Sequence, residues 1–206
     1  MTERDYLPAM GRHSLLFLYD PCTRLAGVGR LHDELLDRAA VRPGHRVLEI
    51  GCGTGNLVLR LARRTPGAEV LGTDPDPAAL RRGRRKAARR GLPVSFELAF
   101  ADDLPVPDAS VDRVLSSYML HHLDGPDKPR AMEEIRRVLR PGGELHLVDA
   151  HSTGGRAHPR LADNAPDRIV GLMRDAGLDA AENGRGHRRG ALGHYVFYRG
   201  SSTGHG

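Results

Sequence analysis

The fold follows from one short segment, Val47-Leu48-Glu49-Ile50-Gly51-Cys52-Gly53-Thr54-Gly55. Its first half is apolar and predicts a buried strand over residues 46–50, while the apolar spacing after it predicts a helix over residues 56–64. Glycines stand at alternate positions 51, 53 and 55 between the two. Such a turn lets the backbone approach a ligand closely, and the N–H groups at the start of a helix attract an anionic group. The segment therefore predicts a strand, a ligand-binding turn and a helix in succession.

Strands and helices alternate on both sides of this segment. The predicted strands cover residues 46–50, 69–73, 94–98, 111–116, 144–148 and 194–198, the last of them as an edge strand. The predicted helices cover residues 31–39, 56–64, 77–90, 130–139 and 165–176, and a basic loop follows the last helix. Alternation of strands with helices of about ten residues indicates crossover connections and a parallel sheet.

The composition fits one globular domain. The chain has 206 residues, of which 39% are hydrophobic and 28% are charged, as is typical of a globular protein with a buried core. Its apolar runs are shorter than the roughly 18 residues of a membrane span, and no signal peptide is recognisable, so we expect a cytoplasmic protein. Cys22 and Cys52 lie 30 positions apart and indicate neither a disulfide framework nor a metal site.

The positive charge of the chain is local. The net charge is +5, and seven cations lie between Leu80 and Gly91 without an intervening acid. They are Arg81, Arg82, Arg84, Arg85, Lys86, Arg89 and Arg90, and without them the net charge is −2. One interpretation is a solvated helix face; the other is an anchor for an acidic or nucleic-acid partner. Because no aromatic residues interleave these cations to stack on bases, a nucleic-acid partner is not expected.

A carboxylate, Asp74, ends the second predicted strand, 23 residues after Gly51. At this place in a doubly wound sheet a carboxylate accepts hydrogen bonds from the hydroxyls of an adenosine ribose. Alternatively, Asp74 caps the helix that begins near Pro75, and one carboxylate can do both. A dinucleotide is disfavoured, since its fingerprint places a third glycine or alanine where Asn56 stands, and Gly55 comes one residue early. The two features together favour a different adenosyl ligand.

Four segments agree, in order and spacing, with a known family. They are residues 47–55, Gly72-Thr73-Asp74-Pro75, Asp103-Leu104-Pro105-Val106-Pro107-Asp108 leading into Val111-Asp112, and Arg137-Val138-Leu139-Arg140-Pro141-Gly142-Gly143. Together they resemble the motifs of class I S-adenosylmethionine-dependent methyltransferases, over about residues 30–150. Tyr19-Asp20 and Leu120-His121-His122-Leu123 are similar to the branch of the ubiquinone and menaquinone methyltransferases. The resemblance implies an α/β, doubly wound, Rossmann-like fold, with a mostly parallel seven-stranded sheet and helices on both faces in a single domain.

The resemblance implies S-adenosylmethionine as the cofactor and assigns residues to it. It places the methionine end at Glu49, Gly51 and Gly53, the ribose at Asp74 and the adenine near Pro75. The other residues expected at the cofactor are Tyr19, Cys52, Ala101, Asp102 and Ser117, and Tyr19 either closes the site or simply packs. Relatives carry Asp followed by Ala in the adenine loop, where this chain has Phe100-Ala101. The usual bond from aspartate to adenine is therefore absent unless Asp102 or Asp103 replaces it, and Phe100 packs either on the ring or in the core.

Histidines supply the candidate catalytic base. Many methyl acceptors must lose a proton, and histidine titrates near neutral pH. His121 and His122 follow the fourth predicted strand and His151 follows the fifth, at the edge where open parallel sheets bind ligands. Each is either a base or a cap or surface residue, and two adjacent helical residues do not both face one pocket. Tyr118 and Asp149 are further candidates. A serine hydrolase is disfavoured because no Gly-x-Ser-x-Gly segment occurs.

The sequence therefore predicts an enzyme that moves the methyl group of S-adenosylmethionine to a small or medium organic acceptor, at oxygen, nitrogen or carbon. Two alternatives stay open: methylation of RNA or another macromolecule anchored by residues 81–90, and a non-catalytic protein that binds the cofactor and acts on a partner. Residues 1–30 are expected to form a helical lid, residues 31–200 the methyltransferase domain and residues 201–206 a frayed tail.

Overall fold

The computed structural model describes residues 28–151, 164–188 and 193–203. Tyr19 and the expected lid up to residue 27 lie outside these residues. The strands are β1 Arg46–Ile50, β2 Glu69–Asp74, β3 Val94–Leu98, β4 Val111–Ser117, β5 Leu139–His151, β6 Leu178–Arg188 and β7 Gly193–Ser202. The helices are α1 Val28–Ala39, α2 Asn56–Arg64, α3 Pro77–Arg90, α4 Asp127–Val138 and α5 Pro166–Asp175, with a 3₁₀ turn at Leu120–His122. No helix in the described part of the chain combines the length and the hydropathy that a membrane crossing requires.

The described strands form one sheet of seven, in the order β3-β2-β1-β4-β5-β7-β6. Strands β1 to β5 run parallel, while β7 pairs antiparallel with β5 and β6 pairs antiparallel with β7. Ile50, at the end of β1, lies beside Thr73 of β2 on one side and Ser116 of β4 on the other. The strand order reverses between β1 and β4, and doubly wound sheets bind their ligands at the carboxyl ends of the strands at such a point. The predicted doubly wound, mostly parallel fold is confirmed.

Helices cover both faces of the sheet and produce two apolar layers. In one layer, Leu35 of α1 and Val58 of α2 pack with Phe197 of β7. In the other, Ile135 of α4 and Met173 of α5 pack with the central strands. All five side chains are almost fully buried, and each contributes roughly 1.5–3 kcal/mol to folding. Because both faces are covered, the loops at the strand ends are left to build a ligand site.

The last two strands differ from the prediction. The sequence predicts a basic loop after residue 176, whereas residues 178–188 form β6. Their glycines and charged residues have low strand propensity, so the extended state of β6 comes from its pairing with β7. β7 lies between β5 and β6, so the predicted edge strand over residues 194–198 is an interior strand. It also continues to Ser202, which places Ser201 and Ser202 in the sheet instead of a frayed tail.

Candidate functional site

The turn at residues 51–55 has three glycines with left-handed backbone, and they serve different purposes. The φ angles are 68° at Gly51, 52° at Gly53 and 77° at Gly55. A Cβ on Gly51 would lie 2.3 Å from Met119 Cγ, and one on Gly55 would lie 2.7 Å from the Phe96 ring. A Cβ on Gly53 would meet nothing within 4 Å. Gly51 and Gly55 are therefore required by packing inside the protein, whereas the backbone at Gly53 faces open space that a ligand can enter.

Asp74, half-buried at the carboxyl end of β2, holds the turn from the neighbouring strand. Its Oδ2 accepts the Gly53 N–H at 2.7 Å, and its Oδ1 accepts the Asp76 N–H at 2.8 Å. Burial raises the pKa of the Asp74 carboxyl, and the two N–H donors act against that rise. The N-cap of α3 is Asp76, whose Oδ1 accepts the Ala78 N–H at 2.7 Å. Asp74 is thus not the helix cap, and its remaining lone pairs can accept ribose hydroxyls.

Glu49 lies beneath the turn instead of on its surface. Its side chain is 3% exposed, and its Oε2 accepts the Val58 N–H at 3.0 Å. Burial raises the pKa of Glu49 from its usual 4.5 to about 8; the charge of Asp74 raises it further, while the Val58 N–H and Lys86 lower it. Glu49 therefore acts on the turn through the shape that its bond to Val58 gives the start of α2.

Cys52 contributes backbone to the turn, not a thiol. Its side chain is buried, and a Cβ on Gly72 would lie 2.9 Å from Cys52 Sγ. Burial raises the pKa of this thiol well above its ordinary value, which leaves it unreactive. The Cys52 N–H donates to the Thr73 carbonyl at 2.9 Å, a bond that joins the turn to the end of β2.

The loop after β3 lies beside Asp74. The Ala99 N–H donates to the Asp74 carbonyl at 3.4 Å, and the Asp103 N–H closes a short turn on the Phe100 carbonyl at 3.2 Å. Ala101 packs partly against the apolar layer under α4. Phe100 and Asp102 are both half-buried, so each presents part of its side chain at this edge of the sheet. The remaining expected cofactor residues, Pro75 and Ser117, are half-buried at the ends of β2 and β4.

A histidine and a buried carboxylate form a pair where β4 and β5 end. The His121 N–H donates to Asp149 Oδ2 at 3.0 Å, and His121 Nδ1 lies 2.5 Å from Asp149 Oδ1. Asp149 is 1% exposed. Because an ionised carboxylate accepts only, Nδ1 carries the hydrogen of the ring and Nε2 is left as the basic nitrogen. Asp149, expected from the sequence as a base, is therefore the residue that orients His121.

The three predicted histidines fall into two groups. The His122 ring lies 4.1 Å from the His121 ring, in the same 3₁₀ turn. His151 instead begins a row across three strands: its ring lies 5.8 Å from that of His194, which lies 4.4 Å from that of His187. The sequence could not reveal this row because β6 was not predicted. Within the described residues, no three histidine, cysteine, aspartate or glutamate side chains are arranged to share a metal ion.

The segment that carries His121 is packed against the glycine turn. Met119 precedes His121 by two residues, and its side chain occupies the space where Gly51 lacks a Cβ. Tyr118 begins this segment with a left-handed backbone, at φ 55°, and its N–H donates to the Val148 carbonyl at 2.9 Å. The segment that carries His121 and the glycine turn around Gly53 therefore lie together at the carboxyl ends of the strands. Met119 was not a sequence candidate, and only its contact with Gly51 reveals its part in the site.

Comparison with known proteins gives the family. A family model described as a methyltransferase domain matches residues 47–143. The ubiquinone/menaquinone biosynthesis C-methyltransferase UbiE of Bordetella parapertussis is 39% identical over 204 residues, which cover 82% of this chain and 78% of that protein. The chain belongs to the S-adenosylmethionine-dependent methyltransferases.

Two further comparisons agree, one with the family and one with the fold. The methyltransferase GfsG of Streptomyces halstedii is 41% identical over 122 residues, covering 58% of this chain and 43% of that protein. A structure of a SAM-dependent methyltransferase from Aquifex aeolicus matches with a TM-score of 0.71 at 19% identity, covering 89% of this chain and 98% of the other, and shows the shared fold. The chain spans 43 to 60% of the length of the first curated relatives it matches.

The site of this methyltransferase fits the family's cofactor. The open face at Gly53 leaves the backbone approachable, and Asp74 presents a half-buried carboxylate beside it. Phe100 and Ala101, both half-buried, follow Ala99, whose N–H donates to the Asp74 carbonyl. The arginines of residues 81–90 agree with the interpretation of a solvated helix face, and Lys86 departs from it. Arg81, Arg84, Arg85, Arg89 and Arg90 are exposed, but Lys86 turns inward onto the glycine turn.

Proposed function

We propose that the chain transfers the methyl group of S-adenosylmethionine to a small or medium organic acceptor, at oxygen, nitrogen or carbon. The observation that carries the proposal is the His121–Asp149 pair on a segment packed against the open glycine turn. A protein that only bound the cofactor would need the turn but not an oriented base. We also propose that it acts in the cytoplasm.

The cofactor site we propose consists of the turn and the ends of β2, β3 and β4. Gly53 offers open backbone, Asp74 accepts the ribose hydroxyls, and Pro75, Phe100 and Ala101 border the adenine. Bound S-adenosylmethionine supplies a methyl group on a sulfonium, whose departure as a neutral thioether needs no further activation. The work left to the protein is to hold an acceptor in line and to remove its proton, and positioning of this kind is worth up to about 7–11 kcal/mol.

His121 is proposed as the group that removes that proton. The bond from its Nδ1 to Asp149 fixes the tautomer and the ring orientation, so Nε2 is available to accept a proton from an acceptor O–H, N–H or acidic C–H. Asp149 also stabilises the imidazolium that results, because its carboxylate is buried against the ring. An acceptor such as a quinol or phenol, whose hydroxyl must ionise before or during transfer, fits this chemistry. UbiE, named above as a C-methyltransferase of quinone biosynthesis, makes such rings the first to test.

A label-transfer assay tests this function. The protein is given S-adenosylmethionine labelled in its methyl group and a panel of quinols, phenols, amines and RNA, at low and high salt. We expect labelled small-molecule product, and a loss of about 10²–10⁴-fold in turnover for His121→Gln with unchanged cofactor affinity. The matched control is His45→Gln. His45 lies just before β1, at the amino end of that strand and away from the proposed site.

Two outcomes would contradict the proposal. Equal turnover by wild type and His121→Gln would remove the base from the mechanism. Transfer to RNA alone, falling steeply as salt rises, would favour a macromolecular acceptor held by the exposed arginines of α3.

A further inference from the structure

Lys86 of α3 is the cation of the basic segment that reaches the site. Its Nζ donates to Thr54 Oγ1 and to Asn56 Oδ1, each at 2.8 Å. Thr54 is 1% exposed and lies between Gly53 and Gly55, and Asn56 is the first residue of α2. One ammonium group therefore joins α3 to the end of the glycine turn and to the start of α2.

The turn needs such ties because its backbone is costly to order. Three of its five residues are glycines in the left-handed region, and glycine loses more conformational freedom on folding than any other residue. Asp74 holds the turn from β2 through the Gly53 N–H. Lys86 holds it from α3, through Thr54 and Asn56. The open backbone at Gly53 is thus fixed between a carboxylate and an ammonium group.

Lys86 also provides positive charge near the buried carboxyl group of Glu49. The groups that act on the Glu49 carboxyl are the Val58 N–H, the Asp74 carboxylate and the Lys86 ammonium, and Cys52 is a neutral neighbour with a raised thiol pKa. Of these, Lys86 and the Val58 N–H favour the ionised form of Glu49, and burial together with Asp74 opposes it. Removing the charge of Lys86 therefore raises the pKa of Glu49 above its value of about 8.

We propose that Lys86 is a positioning residue for the cofactor: it fastens the glycine turn to α3 and places a positive charge close to Glu49 beneath that turn. The inference rests on the cofactor site proposed above. S-adenosylmethionine carries a sulfonium that its demethylated product S-adenosylhomocysteine lacks. Glu49 becomes negatively charged as pH rises through about 8, and that charge favours the substrate form of the cofactor over the product form, while the shape of the turn favours both.

The test compares three variants by calorimetric titration with each cofactor form, between pH 6.5 and pH 9. Lys86→Met removes the charge and both hydrogen bonds but keeps an unbranched stem. Lys86→Arg keeps the charge and is the conservative rescue. Arg85→Met, an exposed neighbour on the same helix, removes one charge without touching the turn and is the matched control.

We expect Lys86→Met to bind S-adenosylmethionine at least about tenfold more weakly, because two hydrogen bonds to a charged group that fasten the turn are lost. The affinity of Lys86→Met for S-adenosylhomocysteine should fall less. Because the pKa of Glu49 is higher in this variant, its affinity for S-adenosylmethionine should increase at a higher pH than that of wild type. For Lys86→Arg, the affinity for S-adenosylmethionine should lie between those of wild type and Lys86→Met, and the midpoint of its pH dependence should equal that of wild type. Arg85→Met should match wild type in both respects.

The outcomes separate this inference from the proposed function. If wild type binds neither cofactor form, the proposed cofactor site fails. If wild type binds and Lys86→Met gives the same affinities and pH midpoint, the role of Lys86 is overturned while the proposed function stands. Should Lys86→Met fail to fold, Lys86→Arg decides: a shifted midpoint of the pH dependence despite the retained charge would overturn the role.

Discussion

Substituting Gly53 by alanine separates ligand approach from protein packing. At φ 52° a side chain costs roughly 1–2 kcal/mol of backbone strain. The new methyl group meets no protein atom within 4 Å, so no steric cost is added. For a chain of this length a loss of about 1 kcal/mol lowers Tm by only about 2–4 °C. The same methyl group enters the open space that we assign to the cofactor, so we expect binding to fall by at least about 100-fold while the protein stays folded.

Two other glycines give the controls. Gly91 has φ 60°, and a Cβ added there would likewise meet no atom within 4 Å, but this glycine ends α3. Gly91→Ala should lose the same stability as Gly53→Ala and keep wild-type cofactor affinity. Gly51→Ala would place a Cβ 2.3 Å from Met119 and should lose a further 1–3 kcal/mol, roughly, from overpacking. Urea unfolding and calorimetric titration with S-adenosylmethionine measure the two effects. If Gly53→Ala binds the cofactor as Gly91→Ala does, the assignment of the open face is refuted.

Three further predictions concern charge. Asp149→Asn should lower turnover by about 10²-fold or more through loss of the oriented His121 tautomer, with cofactor affinity unchanged in a titration. Because the folded pKa of Glu49 is raised from 4.5 to about 8, its contribution to the free energy of unfolding is complete below pH 4.5 and is lost as pH rises through 8. The slope reaches about 1.4 kcal/mol per pH unit, and Glu49→Gln should remove this fall in urea unfolding at pH 5.5, 6.5 and 7.5. Arg85→Met combined with Arg89→Met should leave small-acceptor turnover within about twofold, because both side chains are exposed, and a large loss would indicate that the α3 surface binds the acceptor.

Local patterns in the sequence were sufficient for the central part of the fold. The run ending at Ile50, the glycines after it and Asp74 are all determined by neighbours close in sequence, so strand, turn and carboxylate are found where expected. The strand β6 is different, because Leu178–Arg188 has weak intrinsic strand preference and is extended only through pairing with β7. His187 and His194 meet as a consequence of that pairing, which no local pattern indicates.

The candidate site was predictable by position but not by role. The carboxyl ends of parallel strands meet at one edge, so His121 and Asp149 could be placed together. Which of them orients the other depends on a 2.5 Å contact between segments 28 residues apart. Similarly, Gly51 and Gly55 are packed against Met119 and Phe96, whereas Gly53 is open. The sequence does not show this difference, because both contacting residues are distant in sequence. Lys86 was grouped with the arginines around it because composition does not show the direction of one side chain.

The most direct test of the account is a titration of wild type, Asp74→Asn and Asp76→Asn with S-adenosylmethionine. Asparagine at position 74 replaces an acceptor of the Gly53 N–H and of the ribose hydroxyls, whereas asparagine at position 76 is as good a helix cap as aspartate. The account predicts tight binding by wild type and Asp76→Asn, and binding weaker by at least about tenfold for Asp74→Asn. Equal affinity in all three proteins would contradict it.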